Sequence, residues 1–502
     1  MSNESIWQGT SHGTGFPALT EHLEADAVII GGGITGIMTA LKLSQAGKKV
    51  VVLEAKRVGR GTTGCSTGNL HVIPDQGLHA ISDKWGKKTA ADVVASRSAM
   101  IDIIEAVVAS YQLSCGFSRR PHYIFALDEK QAHQLEQERA AALEAGLTAE
   151  LVAEAPLPFA TGQVLRIEQQ AQFHPLNFVG ELAEKISSDR CRILEHSKVT
   201  EIDDGKMMVK TAQGTVHAGK IIMATHTPKG FNVLQTELGP YREYGLAARL
   251  ANDRYPEAIC WSLEEPSHSI RSYEIDGRKY LVVIGEEHKT GQQEAGVDYF
   301  QKVEAYTRSH FEIDAIEYRW SAQNYRPADG LPYIGKTLTS ESVYLATGFG
   351  TNGLLYGPLA AAIISDELLG VENRWARIYQ AGRFNPLKGG ATFIEENLNV
   401  ATQYVKDYLI PGRSEKLQDI KPGEGMMVKV KGEKTAVYLD EDDRLKGVSP
   451  VCTHLGCIVH WNRLEKSWDC PCHGSRFDTE GEVIEGPAFS ALAKKEVSKT
   501  DS

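Results

Sequence analysis

Residues 26–54 read DAVIIGGGITGIMTALKLSQAGKKVVVLE, and this stretch decides the fold. Ala27 to Ile30 is a short, β-branched apolar run bounded by glycine, the mark of a strand buried on both faces. Beyond the glycines, Ile37, Leu41 and Leu43 recur with small residues between them, as on a helix, and Gly47 stops that helix. KVVVLE is a second buried strand. Strand, helix and strand in this order make a βαβ unit, the start of a parallel sheet. Gly31-x-Gly33-x-x-Gly36 joins the first strand to the helix. In such a loop the first glycine makes the turn, the second lets a pyrophosphate approach, and the third lets helix and strand pack. The helix N-terminus then faces the phosphates. Glu54, 23 residues past Gly31 at the end of the second strand, is placed to bind ribose hydroxyls. The stretch predicts a dinucleotide cofactor.

The bulk properties bound the rest. At 502 residues the chain is too long for one core. With 42% hydrophobic and 24% charged residues it has the composition of a folded protein. A net charge of −11 with interspersed signs, and no basic block, argues against a nucleic-acid partner. No run of 18 apolar residues occurs, so no transmembrane segment is expected. The first 23 residues lack the basic-then-apolar form of a signal peptide. Cys65, Cys115, Cys191 and Cys260 are scattered singly, as a reducing compartment allows, so the expected location is cytoplasmic.

Residues 86–150 read as mostly helical, KQAHQLEQERAAALEAGL being the clearest amphipathic segment. RILEHSKVTEIDDGKMMVKTAQGTVHAGKIIMAT reads as a β-meander turning at Asp204-Gly205 and Gln213-Gly214. Residues 241–320 alternate strand-like runs and loops. SVYLATGFGTNGLLYGPLAAAIISDELLG is strand, glycine loop and helix. Residues 371–420 look irregular, with FNPLKGGA and IPGRSEK as linker candidates, and short strands from 421 onward suggest a small β domain.

RVGRGTTGCSTGN, just past Glu54, resembles the second FAD contact of the D-amino acid oxidase-like flavoproteins, which include glycine, sarcosine and glutamylputrescine oxidases. KIIMATHTP, RPADGLPYIG and VYLATGFGTNGLLYGP match the same group in the same order, over about residues 25–375. The resemblance implies FAD, with Gly61, Thr62, Thr63 and Val199 as contacts beside Gly31, Gly33, Gly36 and Glu54. Gly348-x-Gly350-x-x-Gly353 is formally a second dinucleotide loop, but no strand with a terminal acid follows its helix. By the resemblance, Gly348, Gly350, Asn352 and Gly353 belong to a loop whose N–H groups reach the flavin's pyrimidine end.

VCTHLGCIVHWNRLEKSWDCPCHGSRFD, residues 451–478, concentrates four of the eight cysteines. Cys452-x-His454 and Cys470-x-x-His473 each pair one thiolate with one imidazole. Two cysteines and two histidines could hold zinc, but a zinc finger puts both cysteines in one knuckle. Mixed knuckles suit a Rieske [2Fe-2S] centre, with two thiolates on one iron and two imidazoles on the other. A zinc knuckle or a staple of disulfides alone is the competing reading. CTHLGC…CPCHGS resembles the Rieske proteins of respiratory and photosynthetic cytochrome complexes over roughly the last 80 residues. The resemblance implies Cys452, His454, Cys470 and His473 as ligands, a Cys457–Cys472 disulfide, and EGPA (485–488) as the loop covering the cluster. Phe477 stands where those proteins carry a tyrosine that donates to a ligand sulfur, and Ser475 remains available to a bridging sulfide. With AQFHP, WSAQ and WDCPCHGSRF, the whole arrangement is similar to a bacterial family of flavoprotein–Rieske fusions.

These readings predict an α/β FAD-binding domain of the glutathione reductase/D-amino acid oxidase type with an inserted α+β substrate domain, plus a small all-β Rieske domain. The oxidoreductase part is expected over 22–375, with FAD-binding parts at about 22–85, 150–235 and 320–375 and substrate parts at about 86–149 and 236–319. Residues 376–420 form the linker and 421–502 the Rieske domain. His288, Arg271 and Tyr244 are the candidate catalytic residues: His288 as a polar group reaching over the flavin, Arg271 as a guanidinium for a substrate carboxylate. Arg242 is a second carboxylate binder, His174 a further guess, Tyr241 a residue as readily core, and Trp320 and Gln323 walls of the pocket. Cys65 is read as a buried small residue rather than a covalent flavin link. The expected function is a dehydrogenase that oxidises a small amine, amino acid or hydroxy acid and passes electrons through the cluster to an external protein or quinone. The alternatives are a redox carrier whose cluster feeds the flavin, or a reductase fed by NAD(P)H.

Overall fold

The computed structural model describes residues 3–383, 386–409 and 416–499. Among these, eight strands form the FAD-type sheet, whose main path runs Tyr333–Lys336, Val343–Thr347, Thr215–Met223, His22–Ile30, Val50–Leu53, Cys191–Leu194. His22–Ile30 lies parallel between its neighbours, so Ile30 is level with both Met223 and Leu53. Val28, Ile29, Val50, Val51 and Val52 are fully buried, which is why both strands read as unbroken apolar runs. Helices Ile34–Gln45 and Gly353–Leu368 pack together over the sheet. The meander forms through Val199–Asp203, Met208–Thr211 and Thr215–Met223, but Cys191–Leu194 leaves it to pair in parallel with Val50–Leu53.

A second, nine-stranded sheet runs Ile313–Pro327, Leu238–Leu250, Arg278–Lys289, Ser269–Ile275, Ile259–Ser262, Ser118–Phe125, Val164–Gln172, Asn69–Leu70, with Ala149–Val152 on the side. Residues 150–172 and 320–327, expected in the FAD-binding part, belong here. Val164–Gln172 buries Val164, Leu165, Ile167 and Ala171 while pairing antiparallel with Ser118–Phe125. Ile313–Pro327 is one 15-residue strand that pairs with Leu238–Leu250 along its length. Helices Lys87–Tyr111 and Glu129–Glu144 account for the helical reading of 86–150.

The expected irregular stretch 371–420 contains helix Pro386–Leu409, interrupted at Gly390 where φ is 54°. Residues 410–415 of the second linker candidate lie outside the described residues. The C-terminal domain has two four-stranded sheets: Gly425–Val430, Glu433–Leu439, Leu445–Val448, Lys494–Lys495, and His460–Asn462, Ser467–Asp469, Arg476–Phe477, Val483–Glu485. No helix among the described residues is long and apolar enough to cross a membrane.

Candidate active site

A cavity of about 370 Å³ opens at the carboxyl ends of the parallel strands, where ligands bind in open α/β sheets. Gly31, Gly33, Glu54, Gly61, Thr62, Thr63, Val199, Gly350 and Gly353 all line it. Gly31 has φ 110°, and a Cβ there would stand 2.4 Å from the Ala224 carbonyl oxygen. Gly36 does not line the cavity: its missing Cβ would lie 1.9 Å from the Gly31 carbonyl oxygen, so it serves helix packing. Glu54 accepts from the amides of Gly32 and Lys56 at 2.8 Å each. Burial pushes its carboxyl above the usual range, and those two amides pull it back. Gly348 and Asn352 stand behind the wall, where the Asn352 amide accepts from Arg97 and donates to Asp75.

Trp320 and Gln323 line the cavity, as does Cys65, whose thiol burial pushes up to about 12. His226, Lys229 and Tyr325 also line it. His226 and Lys229 follow the strand of KIIMAT, and that position is their sequence signal; Tyr325 lies within strand Ile313–Pro327, two residues past Gln323. Burial lowers His226 to about 4, so its ring is neutral at pH 7, and the Thr62 hydroxyl lies 3.2 Å from its Nδ1. Burial lowers Lys229 to about 8.

In the C-terminal domain Cys452, Cys470 and His473 are buried, and the His454 and His473 rings lie 5.0 Å apart. Cys457 and Cys472 form a disulfide. The sulfurs of Cys457, Cys470 and Cys472 lie within 4.8 Å of one another. The disulfide occupies two of these and leaves Cys470, which with Cys452 makes the two free thiols of this domain. Nδ1 of both His454 and His473 is buried without a hydrogen-bond partner among the described residues. For His454 the tautomer follows from its neighbour. The Gln235 Nε2 donates to the carbonyls of Pro228 and Gly230 at 3.0 and 2.8 Å, so its Oε1, 2.9 Å from His454 Nε2, is the acceptor. Nε2 therefore carries the proton, and Nδ1 presents a lone pair. Two free thiols and two unpartnered ring nitrogens fit the donor set of a Rieske cluster. Ser475 Oγ accepts from the Ala488 amide at 3.1 Å, which leaves its own hydrogen for a sulfur. Phe477 is fully buried in one apolar cluster with Cys452, Cys470 and Trp468.

The two sites share a wall. Val483, Ile484, Glu485, Gly486, Ala488 and Phe489 of the C-terminal domain line the flavin cavity. Gln323 Nε2 donates to the Gly474 carbonyl at 2.9 Å. The Tyr325 hydroxyl lies 3.0 Å from the Gly486 carbonyl and 3.4 Å from that of His473. Arg242, fully buried, pairs with Glu465 and, at 3.3 Å, with Glu485. Arg476 meets the same acids at 2.7 and 3.1 Å and Asp469 at 3.0 Å.

Residues 26–367 match the FAD dependent oxidoreductase family. The chain belongs to the FAD dependent oxidoreductase family. Residues 413–496 match the Rieske [2Fe-2S] domain, so this FAD dependent oxidoreductase binds FAD and a [2Fe-2S] cluster. It is 33% identical to the putative Rieske 2Fe-2S iron-sulfur protein YhfW of Bacillus subtilis (strain 168), over 97% of each chain. It is 26% identical to gamma-glutamylputrescine oxidoreductase of Escherichia coli (strain K12), over 75% of this chain and 91% of that one. Glycine oxidase from Geobacillus kaustophilus shares the fold, with a TM-score of 0.59 at 17% identity, covering 72% of this chain and 100% of that one.

The expected catalytic residues of the FAD dependent oxidoreductase are not at the cavity. His288 donates from Nδ1 to the Lys289 carbonyl at 2.7 Å and accepts the Tyr244 hydroxyl at Nε2, 2.9 Å away, so the two satisfy each other in the second sheet. Arg271 donates to the Thr67 carbonyl and Asn69 Oδ1 at 2.9 and 3.3 Å, beneath Trp7 and Tyr273. Arg242, expected to bind a carboxylate of the substrate, binds carboxylates of the Rieske domain instead. His174 caps helix Pro175–Ile186 by accepting from the Asn177 amide at 3.1 Å. Tyr241 donates to Glu396 at 3.0 Å.

Proposed function

We propose that the protein is a dehydrogenase that oxidises a small amine, amino acid or hydroxy acid and delivers the electrons through its Rieske domain to an external acceptor, a protein or a quinone. The observation that carries this reading is the shared wall: the backbone beside His473 is bonded to two side chains of the flavin cavity. Bound FAD accepts a hydride, as an electron pair, and a Rieske cluster passes electrons singly. Gly31, Gly33, Glu54, Gly61, Thr62, Thr63, Val199, Gly350 and Gly353 would hold FAD. Cys452, His454, Cys470 and His473 would hold the cluster.

The chain's own contribution is positioning. Gln323 and Tyr325 hold the loop of Cys470 and His473 against the cavity, and Glu485 to Ala488 close it against water. Val451 and Leu455, 39% and 44% exposed, flank Cys452 and His454 and offer an acceptor an apolar landing. An oxidase that gives electrons to oxygen has no use for such a path. The printed name of the E. coli relative supports an amine-type substrate. Four cysteines without disulfides, Cys65, Cys115, Cys191 and Cys260, support the cytoplasm.

Anaerobic mixing with a panel of amines, amino acids, hydroxy acids and NADH tests the reading. One of the small donors should bleach the flavin, and turnover should run faster with an artificial one-electron acceptor than with oxygen. Cys470→Ser should keep the bleaching and lose most of the acceptor reduction. Bleaching by NADH alone, or equal hydrogen peroxide yield from wild type and Cys470→Ser, would overturn it.

A further inference from the structure

Beside the flavin cavity lies a second one of about 140 Å³. Thr67, Glu243, Ile284 and Thr351 line both, so the two are contiguous. The second cavity has a distinct chemistry. Its lining carries three carboxyl groups, Asp75, Glu243 and Glu287, against one guanidinium, Arg326. That guanidinium is already taken: it donates to Glu287 at 3.0 Å and lies 3.4 Å from Glu243. The Asp75 carboxylate is likewise engaged, by the Thr351 amide at 2.8 Å and the Asn352 side chain. Glu243, between the two cavities, has only a share of Arg326. Burial pushes its carboxyl up to about 8, so it is largely protonated at pH 7 while the cavity is empty, and a cation set beside it would draw that proton off and leave a carboxylate.

The other polar groups are acceptors or neutral. His71 donates from Nδ1 to the Ile73 carbonyl at 2.8 Å, which leaves Nε2 as an acceptor. Burial, helped by Arg97, lowers His71 to about 4, so it adds no positive charge at neutral pH. His122 is fully buried, and neither of its ring nitrogens has a hydrogen-bond partner among the described residues. Its ring lies 4.7 Å from that of His71 and 6.1 Å from that of Trp261. A buried neutral imidazole without a partner beside the cavity offers one acceptor nitrogen to a donor and one N–H to an acceptor.

We infer that this second cavity receives the ammonium group of the substrate, with Glu243 as its counter-ion, so that the enzyme takes small amines in preference to amino acids and hydroxy acids. Among the lining residues a substrate carboxylate would meet more acids than cations, since the one lining guanidinium, Arg326, is already paired with Glu287 and Glu243. An alkylammonium would pair with Glu243, donate to the imidazoles, and set its charge near the Trp261 ring, which favours cations. Arg271, the guanidinium that would have favoured a carboxylate, is outside the lining.

This inference rests on the dehydrogenase reading, so its test uses probes that cannot be oxidised. tert-Butylammonium, tert-butanol and pivalate have one shape and three charges, and none has a hydrogen on the carbon bearing the polar group. Each is titrated into FAD-loaded full-length protein and followed by the flavin visible spectrum. tert-Butylammonium should bind saturably and at least 10-fold tighter than tert-butanol or pivalate, and Glu243→Gln should weaken it at least 10-fold. If pivalate or tert-butanol binds as tightly in the wild type, or if Glu243→Gln changes nothing, the inference is overturned. The wild-type series decides alone if the variant does not hold FAD. Failure of the dehydrogenase reading would appear separately, as tight tert-butylammonium binding with no bleaching by any oxidisable amine.

Discussion

The side-chain amide of Gln323, on the wall of the flavin cavity, is bonded at 2.9 Å to the carbonyl of Gly474, the residue after His473, which would hold the cluster. Thr290 donates to the Gln323 oxygen at 3.0 Å and so fixes which end of the amide faces the Rieske domain. One strand, Ile313–Pro327, thus carries both a wall of the flavin cavity and the contact to the cluster loop.

The same interface depends on Arg242, which is outside the cavity lining and pairs with Glu485 of that lining. Removing it leaves Glu465 and Glu485 with Arg476 as their remaining cation. Loss of one partner of a buried ion pair costs about 3–5 kcal/mol. Arg242→Met should therefore loosen the docking. Stopped-flow mixing should show flavin bleaching within about twofold of wild type and reduction of a one-electron acceptor at least 10-fold slower, ~1.4 kcal/mol in the barrier. Equal slowing of both steps would mean that Arg242 acts on the flavin side.

Acid should undo the clamp. Burial alone would raise Glu465, but Arg242 and Arg476 outweigh it and hold the carboxyl at about 2, against an ordinary value of 4.5. A carboxyl lowered by folding contributes stability that is complete above its unfolded value and is lost as pH falls towards the folded one. Thermal unfolding should therefore show a midpoint that falls between pH 5 and pH 3. The fall should be smaller in the Arg242→Met, Glu465→Gln double variant.

Gly36→Ala should yield protein without FAD. The added Cβ would meet the Gly31 carbonyl oxygen at 1.9 Å, and that oxygen belongs to the loop that lines the cavity. The purified variant should keep its iron and labile sulfide and lose most of its flavin absorbance.

Phe477 lies in the apolar cluster that surrounds Cys452 and Cys470 and has no group to donate. A hydrogen bond to a ligand sulfur stabilises the more negative, reduced cluster and raises its potential. Phe477→Tyr should raise the cluster potential by tens of millivolts, on the order of 1 kcal/mol, the net worth of one hydrogen bond. Voltammetry decides, and an unchanged or lower potential would mean that the ring does not face a ligand sulfur.

The sequence made local chemistry legible and long-range placement illegible. The loop from Gly31 to Gly36 and the disulfide of Cys457 and Cys472 follow from short motifs whose geometry the local backbone sets, as do the thiols and ring nitrogens proposed to hold the cluster. The second cavity did not follow. Arg242 reads as a carboxylate binder in the sequence, but that its carboxylate is Glu465, 223 residues away, shows only once the chain is folded. His71 and His122 meet only because distant segments converge at one cavity. Trp7, which no motif marks, is fully buried in a short helix whose Ser5 and Gln8 form a capping box.

Gly474 has φ 76°, and a Cβ there would stand 2.6 Å from the Pro240 ring. The cluster loop meets the flavin domain with no room for even a methyl group. A carrier domain that swings between donor and distant acceptor must break such a contact at every turnover, and solvent drag then enters its rate. Here the contact is buried and bonded on both sides, and on the proposed reading the domain would conduct from a fixed position rather than shuttle. Thickening the medium with glycerol should slow the arrival of the outside acceptor and leave the internal transfer at its original rate.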